Sequence, residues 1–210
     1  MKTLTLIGQK GGCGKSTLAV HLAVCAQRAG LAVAIIDMDP QASALRWQKR
    51  RQAYAQDAPG PEVIGAAGAA LSGLLKLAKS NGVELLIIDT PPHTAAAAMA
   101  AASAATTILL PCRPSALDLD ALVDTFAVLK LAPAVRKRTQ FVLNAVPARG
   151  RSTDEIAQGL LEWAPVSPVR IGSRSAYSIA WNDGRSVQEY EPKGKASAEI
   201  KALFEWVLTL

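Results

Sequence analysis

Aromatic residues make up only 5% of this 210-residue chain, and histidine occurs twice, as His21 and His93. Both histidines are isolated, without ligand partners, and neither takes an assigned role. The three cysteines, Cys13, Cys25 and Cys112, form no C-x-x-C pair and have no metal-ligand spacing. Their odd number and scattered placing exclude a disulfide framework and point to a reducing compartment. No stretch is apolar enough to span a bilayer. The longest, Ala95 to Leu110, is mostly Ala with Ser and Thr inside it, and reads as a buried helix followed by a strand. The opening Met1-Lys2-Thr3-Leu4 leads into a strand and not a signal peptide. Internal repeats are absent, and no linker is long enough to separate a second domain. The expectation is one soluble, cytoplasmic domain over residues 1–210.

What the chain does have is aliphatic residues and positive charge. Half of it is hydrophobic, built from Ala, Leu, Val and Ile, and 23 Lys and Arg against 17 Asp and Glu leave a net charge of +6. That balance permits contact with nucleic acid or an anionic membrane, and it equally serves simple solubility. Apolar runs without polar alternation recur at residues 4–7, 32–36, 84–88, 106–110 and 140–146, with a short one at 62–64. Helical patterns lie between them, at 43–54, 71–80, 94–104, 118–131 and 153–163. Asn81-Gly82 stops the second of these, and Ser152 is placed to cap the last. A final short strand is expected within 165–171, followed by helices at 175–182 and 196–210. Alternating strands and helices with unalternated strands imply an α/β fold with a mostly parallel central sheet covered on both faces.

The chain is organised around Gln9-Lys10-Gly11-Gly12-Cys13-Gly14-Lys15-Ser16-Thr17, set between the first strand and a helix beginning near Leu18. Strand, glycine loop and helix form the setting of a phosphate-binding loop. Glycines let consecutive N–H groups turn inward at an anion, and the helix adds its positive end to the same point. Lys15 supplies an ammonium for the outer phosphates, and the Ser16 hydroxyl is placed to ligate Mg²⁺. Asp89 follows four apolar residues, as a strand-terminal carboxylate that holds Mg²⁺ through a water does. In a parallel sheet, ligands sit beyond the carboxyl ends of the strands. The loop, Asp37, Asp39, Asp89 and Asn144 all fall at or near such ends.

Gln9 stands where the general loop pattern asks for Gly, and Lys10 is a second lysine inside the loop. The string from Lys10 to Ser16 resembles the deviant P-loop of the ParA/MinD family of ATPases. Asp37-Met38-Asp39-Pro40-Gln41 resembles that family's second acidic motif, and Ser43 to Trp47 resembles the small ParF-like ParA partition ATPases, which lack an N-terminal DNA-binding extension. Weaker likenesses continue through Pro111–Ser115, Phe141–Asn144, Arg174–Tyr177 and Gly184–Tyr190.

The resemblance implies a single P-loop NTPase domain that uses ATP and Mg²⁺. By it, residues Lys10 to Thr17 (Lys10, Gly11, Gly12, Cys13, Gly14, Lys15, Ser16 and Thr17) hold the nucleotide and Asn144 contacts adenine. Asp37 joins Ser16 and Asp89 near the metal, and Asp39 positions the attacking water. Lys10 reaches across a dimer interface to phosphates bound by the second subunit, so that ATP drives homodimerisation. Further implications are nonspecific duplex DNA binding, placed on Arg149, Arg151 and Arg174, and a small ParB/ParG-like stimulatory partner. The protein is then nucleoid-associated, with no membrane contact. Other basic clusters, Arg46 to Arg51, Arg136 to Arg138 and Lys193 with Lys195, read as solvated faces. The alternatives are a MinD-like membrane-surface regulator, an iron–sulfur carrier and a metabolic ligase. The absence of a basic tail, the cysteine spacing, and Lys10 with Asp39-Pro40-Gln41 disfavour them in turn.

Overall fold

The computed structural model describes residues 1–54, 59–115, 118–119, 122, 125–127, 133–148 and 152–210. Six strands form one parallel sheet. They are β1 (Lys2–Leu6), β2 (Val33–Asp37), β3 (Glu62–Gly65), β4 (Leu85–Asp89), β5 (Thr107–Cys112) and β6 (Thr139–Leu143), in the spatial order β3-β2-β4-β1-β5-β6. Because β1 is central, the loop that follows it emerges between the ends of β4 and β5. Register aligns Leu6 with Asp89 and Asp37 with Asp89, so the two acidic strand ends share one row beside the loop.

Alternate strand residues enter opposite cores. Leu4, Leu6, Ile35, Leu85, Ile87 and Leu109 pack with α1 (Lys15–Arg28) and α9 (Lys195–Thr209) on one face. On the other face, Ile36, Leu86 and Ile88 meet α3 (Leu71–Ser80) and α4 (Ala95–Ala104), while Ile108, Leu110, Phe141 and Leu143 meet Leu122, Phe126 and α6 (Ser152–Leu161). Each such Leu or Ile contributes about 1.5–3 kcal/mol when fully buried. A sheet paired with helices on both faces needs apolar residues at every strand position, which is why the strands show no alternation.

Three expectations change. The last strand does not form: residues 165–172 make only isolated bridges, Phe141 to Val166 and Val146 to Gly172. Pro165 and Pro168 have no N–H for a ladder, and the Val169 N–H bonds the Ser167 hydroxyl at 3.0 Å instead. Of the expected helix 118–131, residues 118, 119, 122 and 125–127 are helical and the rest lie outside the described residues. The short α5 (Pro133–Arg136) follows. Ser152 is the first residue of α6 rather than its cap. Finally, α8 (Val187–Tyr190) was not expected. Its sequence form, Ser186-x-x-Glu189, is a helix start, and the Glu189 carboxylate accepts the Ser186 N–H at 2.7 Å.

The basic cluster 46–51 on α2 (Ser43–Tyr54) divides. Arg46 and Lys49 are exposed, but Arg51 is buried. Its guanidinium grips both oxygens of Glu189, at 2.6 and 2.9 Å, and the Gly184 carbonyl at 3.0 Å. Burial pushes the Glu189 carboxyl up, but the Arg51 and Ser186 contacts outweigh it and hold the carboxyl below its ordinary range. In α9 the stripe Ile200, Leu203, Phe204 and Val207 is buried against α1, whereas Leu208 is 46% exposed. The stripe is core, not a membrane face, and among the described residues no helix is long and apolar enough to cross a membrane.

Candidate nucleotide-binding site

The loop between β1 and α1 is shaped by glycines at Gly12 (φ 76°) and Gly14 (φ 98°). Gly14 is also fixed by a neighbour. A Cβ there would stand 2.1 Å from Nδ2 of Asn144, which reaches over from the end of β6 and donates to the Cys13 carbonyl at 2.7 Å. Asn144 therefore clamps the loop, a contact sequence reading missed. At the start of α1 no side chain caps the backbone and no acidic residue occupies the first turn. The free N–H groups and the helix dipole are left to an anion.

Lys15 is buried, and its ammonium donates to the Gly8 carbonyl at 2.9 Å and the Lys10 carbonyl at 3.3 Å. Cys13 sits beneath the loop, its sulfur 3.9 Å from that ammonium. Burial raises the Cys13 thiol above its usual range although Lys15 pulls the other way. Cys25 and Cys112 are likewise free, buried and raised by burial, to about 11 and about 12. Among the described residues no group of three or more His, Cys, Asp or Glu is arranged to hold a metal.

The three acids differ in what they already hold. Asp37 accepts backbone N–H groups from Asp39 (3.1 Å), Ala44 (2.9 Å) and Leu45 (3.2 Å), which ties it to the start of α2. Burial raises its pKa, and those bonds oppose the rise. Asp39 is half-buried with one oxygen on the Gln41 N–H at 2.8 Å, and it lines the cavity. Asp89 is fully buried, and neither of its oxygens has a hydrogen-bond partner among the described residues. Burial pushes it up to about 7. The neighbouring Asp37 adds to that, while Lys15 and the Ser16 hydroxyl, which lies near without bonding either oxygen, reduce it. Two orphaned carboxylate oxygens are costly unless a cation balances them, and the Ser16 hydroxyl lines the adjoining cavity. These residues fit Mg²⁺.

A proton on Asp89 would compete with a metal held there, which gives a pH prediction. MgATP affinity should be steady above about pH 7 and weaken on acidification by up to about tenfold per unit. Asp89→Asn should bind more weakly and lose that pH dependence. Calorimetric titrations from pH 8 to pH 5.5 check both, with metal-free ATP as the control.

The cavity holds about 580 Å³, within the range of small-molecule sites. Gly11, Gly12, Gly14, Lys15, Ser16, Thr17, Asp39, Asn144 and Arg174 line it, as does Arg113. An amphipathic wall of Ile171, Tyr177 and Trp181, in part from α7 (Ser175–Asn182), faces the loop. Lys10 does not line the cavity; its ammonium lies 3.0 Å from Asp118, and Ser115 also bonds that carboxylate. Arg174, expected on a DNA-binding face, sits at the cavity edge with its guanidinium committed to Glu199. Arg149 and Arg151 lie outside the described residues. Ala42, His93 and Ala145 have positive φ of 52°, 56° and 52°, shortly after the ends of β2, β4 and β6. The backbone is thus turned into the left-handed region around this one edge.

A buried lysine in a glycine loop, an unbalanced strand-end carboxylate and a parallel sheet opening on one cavity define a P-loop nucleotide-binding protein. The model for the CobQ/CobB/MinD/ParA nucleotide-binding domain matches residues 4–187, and the chain belongs to that family. Maintenance of carboxysome distribution protein A from Gloeobacter kilaueensis is 32% identical, aligned over 94% of this chain and 89% of that protein. Protein ParA from Rhizobium radiobacter is 31% identical over 96% of this chain and 92% of its own. Among solved structures, the septum site-determining protein MinD of Pyrococcus horikoshii complexed with Mg-ADP superposes with a TM-score of 0.75. It has 21% identity and covers 98% of this chain and 95% of that one, a likeness of fold. ATP and Mg²⁺ are the cofactors this family's site takes, and the loop, Ser16 and Asp89 fit them.

Proposed function

We propose that the protein is an ATP-hydrolysing switch that dimerises on ATP and then binds duplex DNA without sequence preference. In that way it partitions or positions a plasmid, a chromosome or other intracellular cargo. The observation that carries this reading is Lys10. It sits on the phosphate loop yet does not line the cavity, 37% exposed, its ammonium paired with Asp118 and available to a second subunit's phosphates. Membership of a family that includes ParA, and relatives named for carboxysome distribution and as ParA, support the cargo class.

In this mechanism the loop N–H groups and Lys15 bind and orient the phosphates. Ser16 and Asp89 would hold the metal, with Asp37 behind them fixing the start of α2. Mg²⁺ supplies charge neutralisation on the phosphate oxygens. The Asp39 carboxylate, oriented by the Gln41 N–H, positions the attacking water. Lys10 leaves Asp118 and stabilises the transition-state charge from the opposite subunit. Asn144 keeps the loop in register and would contact the base, with Tyr177 and Trp181 as the apolar wall of the cavity. Hydrolysis removes the charge that Lys10 contacts, so the dimer opens. A small ParB/ParG-like partner then acts as the stimulator of turnover.

DNA binding is expected to follow the dimer. One subunit's patch is modest, and doubling it raises avidity. The chain's +6 charge supports contact with phosphates. Mobility shifts on unrelated duplexes, with ATP, ADP or no nucleotide, should show binding only with ATP. It should fall with salt at a slope of about −0.9 per phosphate neutralised. Arg149→Glu with Arg151→Glu should weaken it while ATP affinity stays unchanged. Equal binding in all three nucleotide states would contradict the switch.

A further inference from the structure

Two cations besides Lys15 line the cavity, and one of them, Arg174, is already paired with a carboxylate, Glu199. Arg113 is different. It directly follows β5, at the sheet edge where the loop emerges, and it is exposed. Its guanidinium donates to the Gly12 carbonyl, and a Cβ on Gly12 would lie 3.9 Å from the same nitrogen. Among the described residues no carboxylate pairs with it, and it lines the cavity together with Gly12, Gly14, Lys15 and Ser16.

We propose that Arg113 is a direct contact of the nucleotide's phosphate chain, made in cis, and a determinant of ATP over ADP affinity. This rests on the nucleotide reading of the cavity. A guanidinium bonded to a neutral carbonyl at the rim of an anion site is a donor with a weak acceptor. A phosphate oxygen offers it a charged acceptor, and such bonds are about twice as strong. The planar fork also has donors to spare: one nitrogen serves Gly12 and others remain for phosphate oxygens. Each added phosphate brings further acceptors, so the gain is larger for ATP than for ADP. Arg113 thereby covers the Gly12 side of the loop while Asn144 holds the Cys13–Gly14 side.

The test is a set of calorimetric titrations of MgATP and MgADP against wild type, Arg113→Lys, Arg113→Gln and Arg113→Ala, with each variant's unfolding midpoint measured in parallel. Gln keeps an amide donor for the Gly12 carbonyl but no charge; Lys keeps the charge but not the fork. The proposal expects Gln and Ala to weaken ATP by about ten- to a hundredfold, ADP by less, and Lys to fall between, with unfolding midpoints unchanged. ATP affinity of Arg113→Gln equal to wild type overturns it, as do losses that are equal for ATP and ADP and track a lowered unfolding midpoint. Wild-type protein that binds neither nucleotide would instead overturn the reading of the cavity itself, which separates the two failures.

Discussion

Lys15→Ala is expected to abolish measurable ATP binding. The ammonium is buried inside the loop on two carbonyls, Gly8 at 2.9 Å and Lys10 at 3.3 Å. It is therefore already positioned where the phosphates arrive, and little reorganisation is needed to use it. Charge-assisted hydrogen bonds contribute about 1.5–3 kcal/mol each, so losing two lowers affinity by roughly 10²–10⁴. Alanine also leaves both carbonyls without their donor, so the loop itself loosens. The fold should survive, because the core on that face is carried by Leu18, Leu22, Leu4 and Ile35 rather than by the lysine. Calorimetry with an unfolding control checks this. Wild-type affinity in the variant would remove the phosphate-loop assignment altogether.

The second large effect belongs to Lys10→Ala, and it is of another kind. Lys10 does not line the cavity of its own chain, so ATP affinity should stay within about tenfold of wild type. Turnover should drop by about 10³–10⁵, the range for a cation supplied across an interface in phosphoryl transfer. To act, Lys10 must leave Asp118. Lys10 is partly exposed but Asp118 is buried, so the pair costs more to break than a surface ion pair. The Ser115 hydroxyl stays on that carboxylate when Lys10 leaves, and a second subunit's triphosphate must outbid the rest. Steady-state hydrolysis with ATP binding measured on the same samples decides. A variant that binds ATP and hydrolyses it at the wild-type rate leaves Lys10 as a surface lysine.

The fold was largely legible because its signals are local. Unalternated runs such as Leu85–Ile88, the Asn81-Gly82 stop and the glycine loop each specify one element, and the parallel sheet follows from their order. The missing last strand was the exception. Pro165 and Pro168 lie in a stretch with Val166, Val169 and Ile171 that reads as a strand until the absent N–H groups are counted.

The site was legible where function needs a residue type at a fixed spacing, as with Gly14, Lys15, Ser16 and the strand-end Asp89. It was not legible where contacts join distant stretches. Nothing near Asn144 says that its amide reaches Cys13. Nothing near Lys10 names Asp118, 108 positions away. Arg51 reads as one more basic residue on a polar helix, yet it is buried against Glu189, 138 positions on. Arg113 had one usable signal: a cation directly after a strand, at the edge where a parallel sheet binds its ligands.

The central claim is that ATP assembles two copies through Lys10. The most direct measurement is the solution mass by light scattering, with MgATP, MgADP and no nucleotide, on wild type, Lys10→Ala and Asp39→Ala. Asp39→Ala should keep ATP and slow hydrolysis, and so hold the assembled state. The account predicts the monomer mass without nucleotide and with ADP. It predicts twice that mass for wild type with ATP, a more persistent dimer for Asp39→Ala, and monomer in all three conditions for Lys10→Ala. One mass for wild type and Asp39→Ala regardless of nucleotide, or an ATP dimer undiminished by Lys10→Ala, would contradict it.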